Sequence, residues 1–177
     1  MAADVYIAFG SNVGDRERNL TDALQAIARK MPIIGASSIY ETEPWGLTKQ
    51  RNFWNAVVAA QWDGEPVELL AFLESVEIAH GRKEKGTGAP RTIDLDILLF
   101  GARVIRRLDL VIPHRYLEMR DFFLVPLLEI APETAHPATR IRLSEYMRRL
   151  PPQLKTIVAK KESALWLDTT TSLSRDR

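Results

Sequence analysis

Two strand-like runs, Ile33–Glu41 and Phe53–Trp62, follow one another with no helical period between them. Parallel neighbours need a crossover of a dozen or more residues, usually a helix. The intervening Thr42–Arg51 carries Pro44 and Gly46 and reads as a loop. The two strands therefore pair antiparallel, and a doubly wound parallel sheet is disfavoured.

The rest of the chain fits around that pair. Val5, Ile7 and Phe9 alternate with Tyr6 and Ala8, a strand that ends at Gly10-Ser11-Asn12. Leu20, Leu24, Ile27, Ala28 and Met31 then recur at helical spacing. A second apolar stripe, Leu69, Phe72, Leu73, Val76 and Ala79, starts after Asp63-Gly64-Glu65-Pro66 and should close at His80-Gly81. Ile93–Phe100 is the fourth strand. The order β-α-β-β-α-β predicts an α+β fold of ferredoxin-like type, an antiparallel four-stranded sheet with helices packed on one face. Pro126 suits the first turn of a short helix reaching Ile130, and Leu143–Leu150 is a further amphipathic piece. Leu154–Val158 reads as a small strand, and Thr169–Arg177 as a loose tail. At 177 residues the chain has the length of one domain. We expect it over 1–160, with 161–177 as a tail.

Composition removes several function classes. The chain has no cysteine, so thiolate metal sites and cysteine nucleophiles are excluded. A net charge of +1 argues against a nucleic-acid binder. The first residues lack the pattern of a signal peptide. The longest apolar run, Phe122–Leu128, contains Pro126 and falls far short of the roughly 20 residues of a membrane helix. The expectation is a cytoplasmic protein with no membrane or nucleic-acid partner.

The most informative segment is Gly88–Phe100. Asp94 and Asp96 sit two apart in a strand, so both carboxylates point to one face while Ile93, Leu95 and Ile97 point to the other. Neighbouring carboxylates repel unless a cation lies between them. Mg²⁺ uses such pairs to hold polyphosphate and fills its remaining positions with water. The plainer reading is two aspartates facing solvent at a strand end. Arg91 just upstream can meet the same phosphate.

Arg82, Lys83 and Lys85 precede this strand, and His114, Arg115 and Arg120 follow it. Together they suit an anionic pocket, although each alone is an ordinary surface charge. Gly86 and Gly88 give the loop Arg82–Ala89 the freedom of a closing lid. No Walker-type G-x-x-x-x-G-K-[ST] run occurs, which disfavours a P-loop enzyme. Asn55 shares a strand face with Phe53 and Val57, and its amide offers a donor and an acceptor to a planar heterocycle. Phe53 and Phe122 would cover the ring faces, or both are simply core.

The run Gly88-x-Pro90-Arg91-x-x-Asp94-Leu95-Asp96-Ile97-Leu98-Leu99-Phe100-Gly101 resembles the signature of the 6-hydroxymethyl-7,8-dihydropterin pyrophosphokinase family. Further pieces agree in order and spacing. They include Tyr6–Asn12, Tyr40-Glu41-Thr42 with Pro44 and Gly46, Phe53-Trp54-Asn55-Ala56, Glu77 with Gly81-Arg82, Pro113-His114, and Pro126–Pro132. The resemblance covers about residues 4–150. It implies Mg²⁺-dependent transfer of pyrophosphate from ATP to the pterin alcohol, with release of AMP, in folate biosynthesis. It implies Asp94 and Asp96 as ligands of two Mg²⁺ ions, and Arg82 and Arg91 beside them as catalytic cations. It places Glu77, Arg82, Arg91, His114, Arg115 and Arg120 around ATP, and Thr42, Trp45, Phe53, Asn55 and Phe122 around the pterin. A monomer is expected. Arg115 stands where tyrosine is frequent in the family, and Glu43 where proline is. No side chain is singled out as a general base.

Two other classes fit parts of the sequence. A ferredoxin-like RNA-binding module would use sheet aromatics for stacking, but the chain lacks the aromatic signature and the charge. A D-x-D sugar transferase would use the aspartate pair but leave the upstream motifs unexplained.

Overall fold

The computed structural model describes residues 2–45, 49–81 and 90–175. Eight strands and five α-helices follow one another along them. They are β1 (Ala3–Ser11), α1 (Arg16–Ala28), β2 (Ile33–Ala36), β3 (Ile39–Thr42), β4 (Phe53–Trp62), α2 (Pro66–Ala79) and β5 (Asp94–Phe100). There follow β6 (Ile105–Arg106), β7 (Val111–Ile112), α3 (Asp121–Ile130), α4 (Leu143–Arg149), β8 (Ile157–Lys161) and α5 (Ala164–Arg175).

The main sheet is antiparallel and has six strands, not four. Its path runs β5-β1-β4-β3-β8, with β2 paired to β4 beside β3. The extra strands have two sources. The run expected as one strand over Ile33–Glu41 breaks at Ser37-Ser38, because Ser37 turns its own groups to other uses. Its Oγ accepts the N–H of Val57 at 2.9 Å, and its carbonyl accepts Trp166 Nε1–H at 2.8 Å. The sixth strand is β8, which begins three residues later than the expected Leu154–Val158, after a 3₁₀ turn at Pro152–Leu154.

Both faces of the sheet carry helices, where one face was expected. Val5, Ile7, Phe9, Leu95 and Ile97 pack against Leu20, Leu24 and Ile27 of α1 and Leu69, Leu73 and Val76 of α2. On the other face Ala8, Val57, Leu98 and Leu99 pack against Phe123, Leu124 and Leu127 of α3 and Leu143 of α4. Pro126 lies inside α3, contrary to the first-turn expectation. Its missing N–H costs one helical bond. The apolar face of α3, with Phe123, Leu124 and Leu127 almost fully buried, outweighs that loss.

Two helix ends follow their local chemistry. Asp15 caps α1 by accepting the N–H of Arg18 at 3.1 Å. Gly81 ends α2 at φ 87°, a left-handed conformation that glycine adopts without a Cβ penalty.

The segment expected as a tail is largely helix α5. Trp166 is 1% exposed and meets Phe9 edge-to-face, ring centroids 6.1 Å apart. Its indole joins the core that the sheet forms with α1 and α2 on that face.

Candidate active site

A cleft of about 510 Å³ opens on the α3 face of the sheet. Its floor is a row of three residues in register. Gly10 on β1 lies opposite Asn55 on β4 and opposite Asp94 on β5. A Cβ on Gly10 would come within 3.0 Å of Asn55 Oδ1 and 3.9 Å of Asp94 Cβ, so the absent side chain keeps the floor open between them. On one side of Gly10 stands an acidic patch; on the other, a polar and aromatic pocket.

The acidic patch comes from the period of β5. Asp94 and Asp96 point into the cleft while Leu95 and Ile97 enter the core behind it. Asp96 keeps 34% of its side-chain surface open to the cleft, and protein crowds its other sides. Burial, then the charge of Asp94, with Glu77 adding, push the Asp96 carboxyl up to about 7; Arg120 and Arg91 oppose this. Arg91 forms an ion pair with Asp94. Two carboxylates held together at this cost fit a divalent cation of the Mg²⁺ kind, which takes one or two carboxylates and leaves its other positions to phosphate and water. Among the described residues no group of three or more His, Cys, Asp or Glu could form a fully protein-built metal cage.

His114 faces the same patch, its Nε2 4.0 Å from Asp96 Oδ1. Its Nδ1 accepts the N–H of Tyr116 at 3.2 Å, so the proton of the neutral ring sits on Nε2. Burial, then Arg120 and Arg115, depress its pKa to about 4. His114 is therefore a neutral donor at physiological pH. Arg120 lies over Tyr116 at 4.6 Å, Phe123 at 5.1 Å and Phe122 at 5.4 Å. Burial lowers the pKa of its guanidinium, and its Nε has no hydrogen-bond partner among the described residues. A partly desolvated cation of this kind is set to receive an anion.

On the other side of Gly10, Asn55 Nδ2 donates to Thr42 Oγ1 at 2.7 Å, and both residues are buried. Phe53 and Phe122 line the same pocket. Trp45 stands at its rim, 41% exposed, edge-on to Phe122 with centroids 6.4 Å apart.

The cleft thus brings together Thr42, Trp45, Phe53, Asn55, Arg91, Asp94, Asp96, Arg115, Arg120 and Phe122, all named from the sequence. Glu77 is placed differently. It is 1% exposed on α2, behind β5, where it accepts the N–H of Leu95 at 2.7 Å. Its visible work is to hold the strand that carries the aspartates. Arg82, Lys83 and Lys85, with the expected lid, lie outside the described residues. The sequence reading missed Gln50, Tyr116 and Phe123 in the lining. It also gave Asn12 no task of its own. Asn12 accepts the N–H of Arg91 at 2.7 Å and donates to Gln50 at 3.0 Å and the Arg51 carbonyl at 3.2 Å, tying both sides of the cleft to β1. A polar amide ending an apolar strand was the available signal.

Residues 6–132 match the family 7,8-dihydro-6-hydroxymethylpterin-pyrophosphokinase. The chain belongs to that family. It is accordingly a diphosphotransferase. The 2-amino-4-hydroxy-6-hydroxymethyldihydropteridine pyrophosphokinase of Aquifex aeolicus is 44% identical over 144 residues, covering 81% of this chain and 90% of the relative. A folic acid synthesis protein of Dictyostelium discoideum is 36% identical over 147 residues, covering 83% of this chain but 22% of that longer protein. Among solved structures, Plasmodium falciparum HPPK-DHPS with pteroate has a TM-score of 0.70 at 17% identity, over 84% of this chain and 42% of that one. That likeness supports the fold alone, a mixed sheet-and-helix domain. The family match stops at residue 132, so β8 and α5 of this pyrophosphokinase lie beyond it.

Proposed function

We propose that this chain transfers pyrophosphate from ATP to 6-hydroxymethyl-7,8-dihydropterin, releasing AMP, with Mg²⁺ as cofactor. The observation that carries this reading is the register row Asn55–Gly10–Asp94, which sets a heterocycle pocket directly beside a carboxylate pair. The pterin ring edge meets the Asn55 amide, and Trp45, Phe53 and Phe122 enclose the ring. The ring's hydroxymethyl group then points over Gly10 toward the triphosphate. Its oxygen bonds to the β-phosphorus and gives up its proton to solvent, the bridge to the α-phosphate breaks, and AMP leaves.

The protein supplies position and charge. Asp94 and Asp96 would hold two Mg²⁺ ions with the polyphosphate; such ions neutralise charge and orient the attacking and leaving oxygens. Arg120 donates to phosphate from its aromatic cage. His114 donates from Nε2–H without adding charge. Arg91 and Arg115 balance the remaining phosphate charge at the cleft mouth, and Arg82 belongs to the same set by resemblance. We read the path β5-β1-β4 with β2 and β3 as a ferredoxin-like core enlarged by β8, and the working unit as a cytoplasmic monomer.

The test is AMP formation from ATP with and without the hydroxymethyl-dihydropterin and with and without Mg²⁺. The reading requires AMP only when all components are present; pterin-independent AMP release would refute it.

A further inference from the structure

Thr156, outside the matched family region, holds both walls of the cleft. Its Oγ1–H donates to Asp121 Oδ1 at 2.7 Å, and its N–H donates to Asp121 Oδ2 at 2.6 Å. The N–H of Ile157 adds a third bond to Oδ2 at 2.8 Å. In the other direction, the Thr156 carbonyl accepts the N–H of Glu43 at 3.0 Å. Asp121 is the first residue of α3, 2% exposed, between Arg120 and Phe122. Glu43 directly follows Thr42 and precedes Pro44-Trp45. One threonine thus connects the segment that carries Trp45 to the helix start that carries Phe122.

We propose that Thr156 is a positioning residue for the pterin, fixing the spacing of the Trp45 and Phe122 walls. The proposal rests on the pyrophosphokinase reading above. Its physical basis is the buried Asp121 carboxylate, whose oxygens away from water need their full set of hydrogen-bond donors. Removing the Thr156 hydroxyl leaves Oδ1 short of one, and the carboxylate turns or admits water. The far end of α3 is anchored separately, because Glu129 accepts from Ser38 N–H at 3.0 Å and from Tyr40 OH at 3.0 Å. The helix therefore keeps its place at residue 129 while its start shifts against Glu43. A planar ring packed against Phe122 and Trp45 loses contact from such a shift, whereas a nucleotide held by charge, that of Arg120 beside Asp121 included, loses less.

The test uses the full chain carrying Thr156→Val and, separately, Thr156→Ser. Calorimetry measures 6-hydroxymethyl-7,8-dihydropterin in the presence of Mg²⁺ and a non-hydrolysable ATP analogue, and the analogue with Mg²⁺ alone. We expect Thr156→Val to weaken pterin binding roughly tenfold, the nucleotide by less than about twofold, and Thr156→Ser to restore the pterin. In turnover, KM for the pterin rises while kcat stays near wild type. Unchanged pterin affinity in Thr156→Val, an equal loss for nucleotide, or a serine variant as weak as the valine one would overturn the proposal. Should Thr156→Val not fold, Asp121→Asn is read by the same criteria. A wild-type chain that binds no pterin would refute the function reading itself.

Discussion

The Asn55 amide gives its Nδ2–H to Thr42 Oγ1 at 2.7 Å, which turns its oxygen toward Gly10 and the cleft. The bond joins β3 and β4 diagonally and fixes which end of the amide a ligand meets. Replacing Asn55 by alanine removes the reader of the ring edge without disturbing the acidic patch. Pterin affinity should fall by roughly 1–3 kcal/mol, with ATP affinity nearly unchanged. Calorimetry for each ligand checks this, and an equal loss for both would take Asn55 out of the pterin pocket.

Asp96 carries opposite implications for stability and activity. Asp96→Asn removes a charge that its neighbours resist, so the metal-free protein should melt no lower than wild type. Turnover should nevertheless collapse, because the polyphosphate-bound cations lose a ligand. Thermal melts without metal, paired with AMP formation across a Mg²⁺ series, separate the two effects. Near-normal turnover at limiting Mg²⁺ would contradict the metal role.

Much of this site was legible in the sequence because its chemistry follows strand period. Once β5 was recognised, Asp94 and Asp96 had to share a face, and Asn55 had to share one with Phe53. What escaped was set by partners far along the chain. Ser37 splits a β-branched and aromatic run because Val57 and Trp166, 20 and 129 residues away, claim its groups. Pro126 argued locally for a helix start, yet burial of the α3 face decided the matter. The bond by which Glu77 on α2 holds the Leu95 N–H of β5 is visible only in three dimensions. The 161–177 segment read as a tail because its local sequence is polar, and a single tryptophan reversed that.

Glu129 joins α3 to β3 and β8, accepting from Ser38, Tyr40 and Lys160. Burial pushes its pKa up, but these bonds outweigh it and hold the carboxyl below the ordinary 4.5. The same contact works on Tyr40: burial, then Glu129, push the phenol up to about 12, so it stays a donor across the neutral range. A depressed carboxylate stabilises the fold at pH above its unfolded value, and the gain is lost as pH falls through the folded one. Glu129→Gln should therefore cost roughly 1–3 kcal/mol at pH 7. The gap to wild type should narrow below the ordinary carboxylate range. Urea denaturation at several pH values measures both, and a gap independent of pH would contradict the ionic contribution.

Trp166 decides whether residues beyond 161 are appendage or structure. Its ring is 1% exposed, lies edge-on to Phe9, and gives its Nε1–H to the Ser37 carbonyl at 2.8 Å. Its own backbone N–H is held by Ser163 Oγ at 3.0 Å, which fixes the first turn of α5. Phe9 sits on β1, one residue before the Gly10 that separates the two halves of the cleft. Loss of the indole leaves a cavity under β1 and takes the Nε1–H donor from the Ser37 carbonyl at the β2–β3 break. Large aromatic-to-alanine changes in a core cost about 3–5 kcal/mol, so Trp166→Ala should lower the urea midpoint sharply. Trp166→Phe keeps most of the apolar volume, loses the indole donor, and should recover more than half of that stability. If α5 were a tail, neither substitution would move the midpoint, and deleting the helix would leave the protein as stable as before.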